Sequence, residues 1–410
     1  MGGQGPRSPG HRGDGAGWPE GCGVPTFSRM ARVLPFSALL PSLEPHLSAD
    51  ARGGPFNAPP RPAHVGRLLE RADPTAELGR WRTAGSVLRD SRPALYLAEV
   101  GSPEGVFGGP PVRFLLCALT PDAAEPLENE PYRPLSAQVE PAVTLAADDH
   151  GVLWSLLAEA AEQSSLVWEG TFENAPVTLR RLEPSPVARR LQEVLDDTPL
   201  RPLAALDARQ PSLAAIVPLS DPGLHFEPVH RALHGLTTFD EETFLALVAG
   251  YARVYDLEEP LSTPRGVDRA NEQLATLVRG HHAVMLVLPG GRGKILRFRQ
   301  GLDLAHLKAA PRNPTLRSLD LALLNALVLR TVLGIQDPEA PGHPNVFAVQ
   351  GLDSLVKGVQ DGKYQVGFAL NPPPMWEVRA VMEAAQSLPP KTLWVGPVPP
   401  SGLLFLDPEA

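Results

Sequence analysis

Three histidines fall within ten residues of one another, His225, His230 and His234. Clustered imidazoles can ligate a metal, but a zinc site wants four ligands at recognisable spacing. This run matches no strong zinc pattern and has no cysteine beside it, so no metal site is expected. His230 is followed directly by Arg231. A His-Arg step at a strand-to-helix turn can grip an anion through the guanidinium fork and a helix N-terminus. The same pair can equally be a cap or a satisfied core pair, and the residues leave both readings open. Lys391, in "PPKT", is a ligand lysine or a solvated surface lysine. Asn371 stands before three prolines, where an amide side chain commonly hydrogen-bonds backbone at a turn or strand exit. His230, Arg231, Lys391 and Asn371 make up the candidate anion-binding set.

"GHHAVMLVLPGGRGKILRF", residues 280–298, spells both a histidine pair and a glycine-rich loop ending in Gly-Lys. A phosphate-binding loop requires strand, loop and helix, with Ser or Thr after the lysine. Here Ile295 follows Lys294, Leu288 stands where the first glycine belongs, and a strand comes next. The stretch therefore reads as a β-hairpin turning at "PGGRG". His281 and His282 follow Gly280, a natural helix stop, and read as structural, one ring packed and one solvated. Arg180, Arg181, Arg189 and Arg190 form a basic patch for which a solvated face is the default and an anion site the alternative.

The elements that must position these residues are mixed. Strand-like runs occur at 94–100, 112–119, 177–182 and 213–219, and helical spacing at 151–163 and 186–197. A boundary is expected near Gly235. Beyond it, Thr238 and Glu241 resemble a capping box, opening an amphipathic helix whose stripe is Phe244, Leu245, Val248, Tyr251 and Tyr255. A second helix ends at Gly280. Residues 315–334 read as one helix, apolar nearly all round and so central to a core. Strand, helix and strand follow at 346–350, 352–362 and 364–370, then a helix with Met375, Val378, Val381 and Ala385 on one face. The expected fold class is mixed α/β (α+β) in two domains, residues 30–235 and 236–410, after a tail of residues 1–29.

Bulk properties narrow the function. The chain has 410 residues, a net charge of −9 and 47 prolines. Net acidity argues against a broad nucleic-acid face. The most apolar run, "LDLALLNALVLRTVLGI", is short for a membrane span and is broken by Asp320, Asn325 and Arg330. Two cysteines, Cys22 and Cys117, cannot build a disulfide framework, and Cys117 sits in an apolar run as a buried thiol. A cytoplasmic protein is expected. Residues 1–29 are Gly-, Pro- and Arg-rich and cannot bury enough surface to order themselves; Met30 opens "MARVLPF" like a natural start.

The ending "NPPPMWEVRAVMEAAQSLPPKTLWVGPVPPSGLLFL" resembles the C-terminus of a bacterial and archaeal family, domain of unknown function 1015. Asn371-Pro372 matches its Asn-Pro strand exit, 388–392 its Met-Pro-x-Lys-Ser-Thr turn loosely, and Gly402-Leu403 its closing strand. "LSDPGLHFEPVHRALHGL", residues 219–236, is similar to its Asp-Pro-Gly-Leu and Pro-x-His-Arg segment. "RSLDLALLNALVL" resembles its Leu-Asp-Val helix, with Asn325 in place of the usual histidine.

The family also carries Pro-Tyr-Asp-Val, where this chain has Pro55-Phe56-Asn57-Ala58, and Asp-Gly-His-His-Arg, for which residues 180–194 have no histidine. That second motif is similar to one in ParB-like proteins, including free-serine kinases. The resemblance thus implies a catalytically degenerate or altered member that binds a small anionic, phosphate-bearing ligand. Its alternatives are a small-molecule phosphotransferase of ParB-like type using a nucleotide with magnesium, and a scaffold. No metal ligand set, nucleic-acid partner or membrane contact is expected.

Overall fold

The computed structural model describes residues 31–41, 74–85, 87–102, 109–121, 141–147, 151–172, 174–202, 212–237, 239–302, 304, 307, 310–340, 342–384, 386, 388–389, 391–400 and 402–406. The four candidate anion-binding residues, the clustered histidines and the basic patch all lie within them. The 1–29 tail with Cys22, the segment 55–58, Thr238 and Ala385 lie outside the described residues.

In chain order the first half runs β1 (Ala31–Leu34), β2 (Ala38–Pro41), α1 (Pro74–Thr83), β3 (Val87–Arg89), β4 (Leu95–Val100), β5 (Val112–Pro121), β6 (Ala142–Ala146), α2 (Val152–Gln163), β7 (Ser165–Phe172), β8 (Ala175–Leu182), α3 (Pro186–Asp197), β9 (Leu200–Pro202) and β10 (Ser212–Pro218). The second runs β11 (His225–Leu233), α4 (Glu241–Val248), β12 (Ala252–Asp256), α5 (Pro264–Leu277), β13 (Ala283–Leu288), β14 (Arg292–Phe298), α6 (Pro314–Arg317), α7 (Asp320–Leu323), a π-helix (Leu324–Val332), β15 (Val346–Gln350), α8 (Leu352–Gln360), β16 (Val366–Ala369), α9 (Met375–Glu383), β17 (Leu393–Gly396) and β18 (Phe405–Leu406). This is the mixed α/β class that the alternating runs predict.

One sheet has the order β7-β8-β4-β5-β10-β6-β9, with β1 beside β5. The two-residue period of its strands sends alternate side chains to opposite faces. Leu95, Leu97, Leu115 and Ile216 meet Leu153, Leu157 and Leu191 of α2 and α3 on one side. Tyr96, Phe114, Leu116 and Val217 meet Val378, Met382, Val395 and Leu404 from the end of the chain on the other. The C-terminal segment thus covers one face of the N-terminal sheet.

The second sheet has the order β12-β14-β13-β16-β11-β15, with β17 also on β11. Leu233, Leu286 and Phe368 pack under α4 and the π-helix. Ala232, Met285 and Val287 pack under α5 and α8. The 283–298 stretch is the expected hairpin, registered Leu288 to Arg292.

Several local expectations are corrected. The cap of α4 is Asp240, whose side chain accepts from Thr243 N at 2.8 Å, and that helix stops at Val248. Tyr251 and Tyr255 are not on its stripe; Gly250 intervenes, and Tyr255 belongs to strand β12, which the aromatic and β-branched content of "ARVYD" suits. The helix of 315–334 is broken into α6, α7 and the π-helix, where Leu333 N donates to Val328 O five residues back. His230 and Arg231 lie within β11, opposite Val349 and Ala348, rather than at a strand-to-helix turn.

The Asp-Pro-Gly-Leu segment has a mechanical role before β11. The buried Asp221 carboxylate accepts from Gly223 N at 2.9 Å and from Arg113 N at 3.2 Å, tying the turn to β5. A Cβ on Gly223 would fall 2.2 Å from the Pro110 carbonyl oxygen, so only glycine lets the two backbones approach this closely.

Candidate functional site

Strand β11 runs down the second sheet beside β16, and β16 leaves the sheet through Asn371-Pro372-Pro373-Pro374 into α9. The proline run and the start of α9 line a cavity of about 880 Å³. Its titratable lining side chains, with Asn371, come from five places: Glu227 and His230 on β11, Arg279 past the end of α5, His281 and His282 entering β13, Asp320 at the start of α7, and Asn371 with Glu377 on either side of the prolines.

His282 and Asp320 meet across the cavity wall, with Nδ1 and Oδ1 2.8 Å apart. The hydrogen bond to Asp320 raises the pKa of His282, against the opposing effect of its own burial. Burial raises that of Asp320, and the histidine only partly offsets it. Glu377 is 7 % exposed, and its carboxyl is pushed up to about 7, first by burial and then by the negative charge of Asp320. An acid whose pKa lies near neutrality, in a cavity and beside a His-carboxylate pair, is equipped to take and give protons.

His230 is buried, and its Nδ1 accepts from Leu370 N at 3.2 Å. Burial, then the charge of Arg231, pushes its pKa down to about 4. The ring is therefore neutral near pH 7, with Nδ1 as acceptor and Nε2–H as its remaining donor. Asn371 carries a second donor, since its buried Nδ2 has no hydrogen-bond partner among the described residues. A buried amide left without a partner is costly, which marks this spot as one that a ligand or water can satisfy.

The four candidate anion residues separate into two pairs. His230 and Asn371 line the cavity; Arg231 and Lys391 are not among its lining residues. The buried Arg231 guanidinium donates from Nη1 to the carbonyls of Val229 at 2.9 Å, His230 at 3.3 Å and Lys391 at 3.1 Å. It thereby ties β11 to the turn before β17. Lys391 meets it through its backbone oxygen, and the Lys391 side chain is exposed. His225 and His230 lie on strand β11, where each residue advances the chain by about 3.3 Å, and His234 follows directly after it. His225 and His230 also point to opposite faces. In the basic patch, Arg180 pairs with Glu99, Arg181 with Asp90, and Arg190 with Glu159.

The spacing of the sequence does not single out His282, Asp320 or Glu377. Asp320 has one visible signal: it is an acid inside an otherwise apolar helical run. His282 reads as structural because its partner lies 38 residues on, and Glu377 reads as an ordinary helix carboxylate.

A second, smaller pocket of about 470 Å³ also includes the histidine pair in its lining. It shares Gly280, His281 and His282 with the large cavity and adds Arg299, Gln300, Arg317 and Ser318.

Within this fold, residues 205–322 match the family described as Protein of unknown function (DUF1015). The match takes in His230, Arg231, His282 and Asp320 and bears out the resemblance over that span. No curated protein matches the chain. Among solved structures, a free serine kinase variant in complex with AMP is 11% identical, with 65% of this chain and 90% of that chain covered and a TM-score of 0.29. A free serine kinase in complex with AMP is 10% identical over 69% of this chain and 99% of that chain, with the same TM-score of 0.29. Likeness at this level transfers no site. No helix among the described residues is long and apolar enough to cross a membrane.

Proposed function

We propose that the protein binds a small oxyanion-bearing molecule in the larger cavity and exchanges a proton with it. The observation that supports this reading is the pairing, in one cavity, of two neutral donors with a proton-sharing cluster. Asn371 Nδ2 and His230 Nε2–H suit a carboxylate oxygen. Asp320 and Glu377 suit a hydroxyl or ammonium on the same molecule. Among the described residues that line the cavity, three carboxylates, Glu227, Asp320 and Glu377, face one guanidinium, Arg279. That balance favours a singly charged amino- or hydroxy-carboxylate over a phosphate dianion, because like charges repel strongly at low dielectric. Glu377, ionised, accepts the proton of the ligand's hydroxyl or ammonium; protonated, it returns one.

The test is calorimetric titration of the full chain with a panel of small amino- and hydroxy-carboxylates and of phosphate monoesters. The reading expects a carboxylate to bind, and Asn371→Ala to weaken it about tenfold, the worth of one hydrogen bond to a charged group, without lowering the melting temperature. Binding indifferent to Asn371→Ala, or no binding across the panel, would remove it. Preference for phosphate esters that is itself weakened by Asn371→Ala would overturn the choice of carboxylate.

A further inference from the structure

The two pockets share the histidine pair but differ in the charges that line them. The larger one carries the three carboxylates already described. The smaller one carries Arg299 and Arg317, and no carboxylate among its described lining residues. Neither guanidinium is in an ion pair with a described residue; both are instead fixed by backbone oxygens. Arg317 donates from Nε to Pro311 O at 2.7 Å and from Nη2 to Arg312 O. Arg299 donates from Nη2 to Ala249 O at 2.9 Å. Each keeps further N–H groups unused, and a guanidinium held in place loses little side-chain freedom when it binds.

The histidines add donors of the same kind. Gln300 Nε2 lies 3.2 Å from His281 Nδ1; with the amide as donor, the proton of that ring sits on Nε2. The Nδ1 of His282 is taken by Asp320, so its Nε2 remains. The pKa of His281 is lowered by loss of solvation and then by the positive charges of Arg297 and His282.

We propose that this smaller pocket is a separate anion site, and that it takes a phosphate-bearing small molecule on Arg299, Arg317 and the Nε2 atoms of His281 and His282. Fixed guanidinium forks match the tetrahedral oxygens of phosphate, which a carboxylate-lined cavity would repel. The site does not depend on the ligand assigned to the larger cavity. The histidine pair forms a wall common to both pockets, so an anion in the smaller one lies next to the His282–Asp320 pair and favours the protonated imidazole.

Pyrophosphate is the probe, titrated into the full chain by calorimetry, with sulfate at matched ionic strength as the reference anion. The expected result is one pyrophosphate per chain, bound more tightly than sulfate. Arg299→Gln weakens it tenfold or more, Arg317→Lys weakens it because the fork is lost, and Asn371→Ala leaves it unchanged. Arg317 also braces the loop at 311–312, so a melting curve accompanies that variant; if it fails to fold, Arg299→Gln decides alone. Absence of binding, equal affinity in wild type and Arg299→Gln, or a loss in Asn371→Ala alone would each overturn the assignment. The last result would place the anion in the larger cavity, so failure here and failure of the carboxylate reading are separable.

Discussion

His282 Nδ1 sits 2.8 Å from Asp320 Oδ1, joining the residue just before β13 to the first residue of α7. With the carboxylate as acceptor, the imidazole proton on Nδ1 is fixed and Nε2 is turned to the pockets. The pair also explains why the helical run breaks where it does. Asp320 opens a new helix with its side chain committed to the sheet, and Leu319 N and Ala322 N bond back to Leu316 O and Leu319 O across the join.

Removing the carboxylate charge should release the histidine. In Asp320→Asn, the His282 titration seen by NMR is expected to move down toward or below the ordinary histidine value, because the raising influence is lost while burial stays. A His282 titration unmoved by Asp320→Asn would mean that the pair does not form in solution.

Glu377 gives a stability profile with a definite sign. Its carboxyl titrates at about 7 in the fold, against an ordinary 4.5. Between those values the folded chain holds a proton that the unfolded chain has released. Stability from this group is therefore full below 4.5 and is lost as pH rises through 7, by roughly 3 kcal/mol in all. Urea unfolding of Glu377→Gln against wild type should show little pH-dependent gain near the ordinary carboxyl value and the largest gain about one pH unit above the folded one. A difference that stays flat across that range would contradict the burial of Glu377 beside Asp320.

Much of the frame is legible because it rests on local patterns. Pro186 lies in the first turn of α3, and the apolar run 283–288 before "PGGRG" starts a hairpin. The misreadings have physical causes. Strand β7 hides in "SLVWEGTF" because it is a half-exposed edge strand paired only with β8, so no buried face imposes a clean alternation. Strand β12 hides for the same reason at the other sheet's edge. The site is less legible than the fold: His230 and Asn371 are visible as candidates, but Asp320, His282 and Glu377 meet only through tertiary structure, and no spacing in the sequence encodes their approach.

Leu323 tests the broken helix. It is 5 % exposed and packs in the core of the second sheet with Leu286, Phe368 and Leu327. Leu323→Ala should cost about 2–5 kcal/mol, the range for a leucine removed from a packed core, measured by denaturant unfolding. A loss below about 0.5 kcal/mol, typical of a surface change, would show that the segment does not pack as described.

Two glycines should respond to alanine with opposite signs. Gly223 has no room: an added Cβ lies 2.2 Å from Pro110 O and 3.0 Å from a Val112 methyl. One of those neighbours is backbone, so the turn itself must move, and the Asp221 bonds to Gly223 N and Arg113 N move with it. Gly223→Ala is expected to destabilise by about 1–3 kcal/mol, as overpacking does. Gly79, inside α1, has nothing within 4 Å of the same added atom, and alanine there restricts the unfolded chain without a clash. Gly79→Ala should therefore stabilise α1 by up to about 1 kcal/mol, the difference in helix propensity between the two residues. Thermal melts of the two single variants beside wild type decide the matter. A Gly223→Ala variant that melts at or above wild type would mean that the start of β5 does not close on the Asp221 turn, and the mechanical role given to the Asp-Pro-Gly-Leu segment would fall with it.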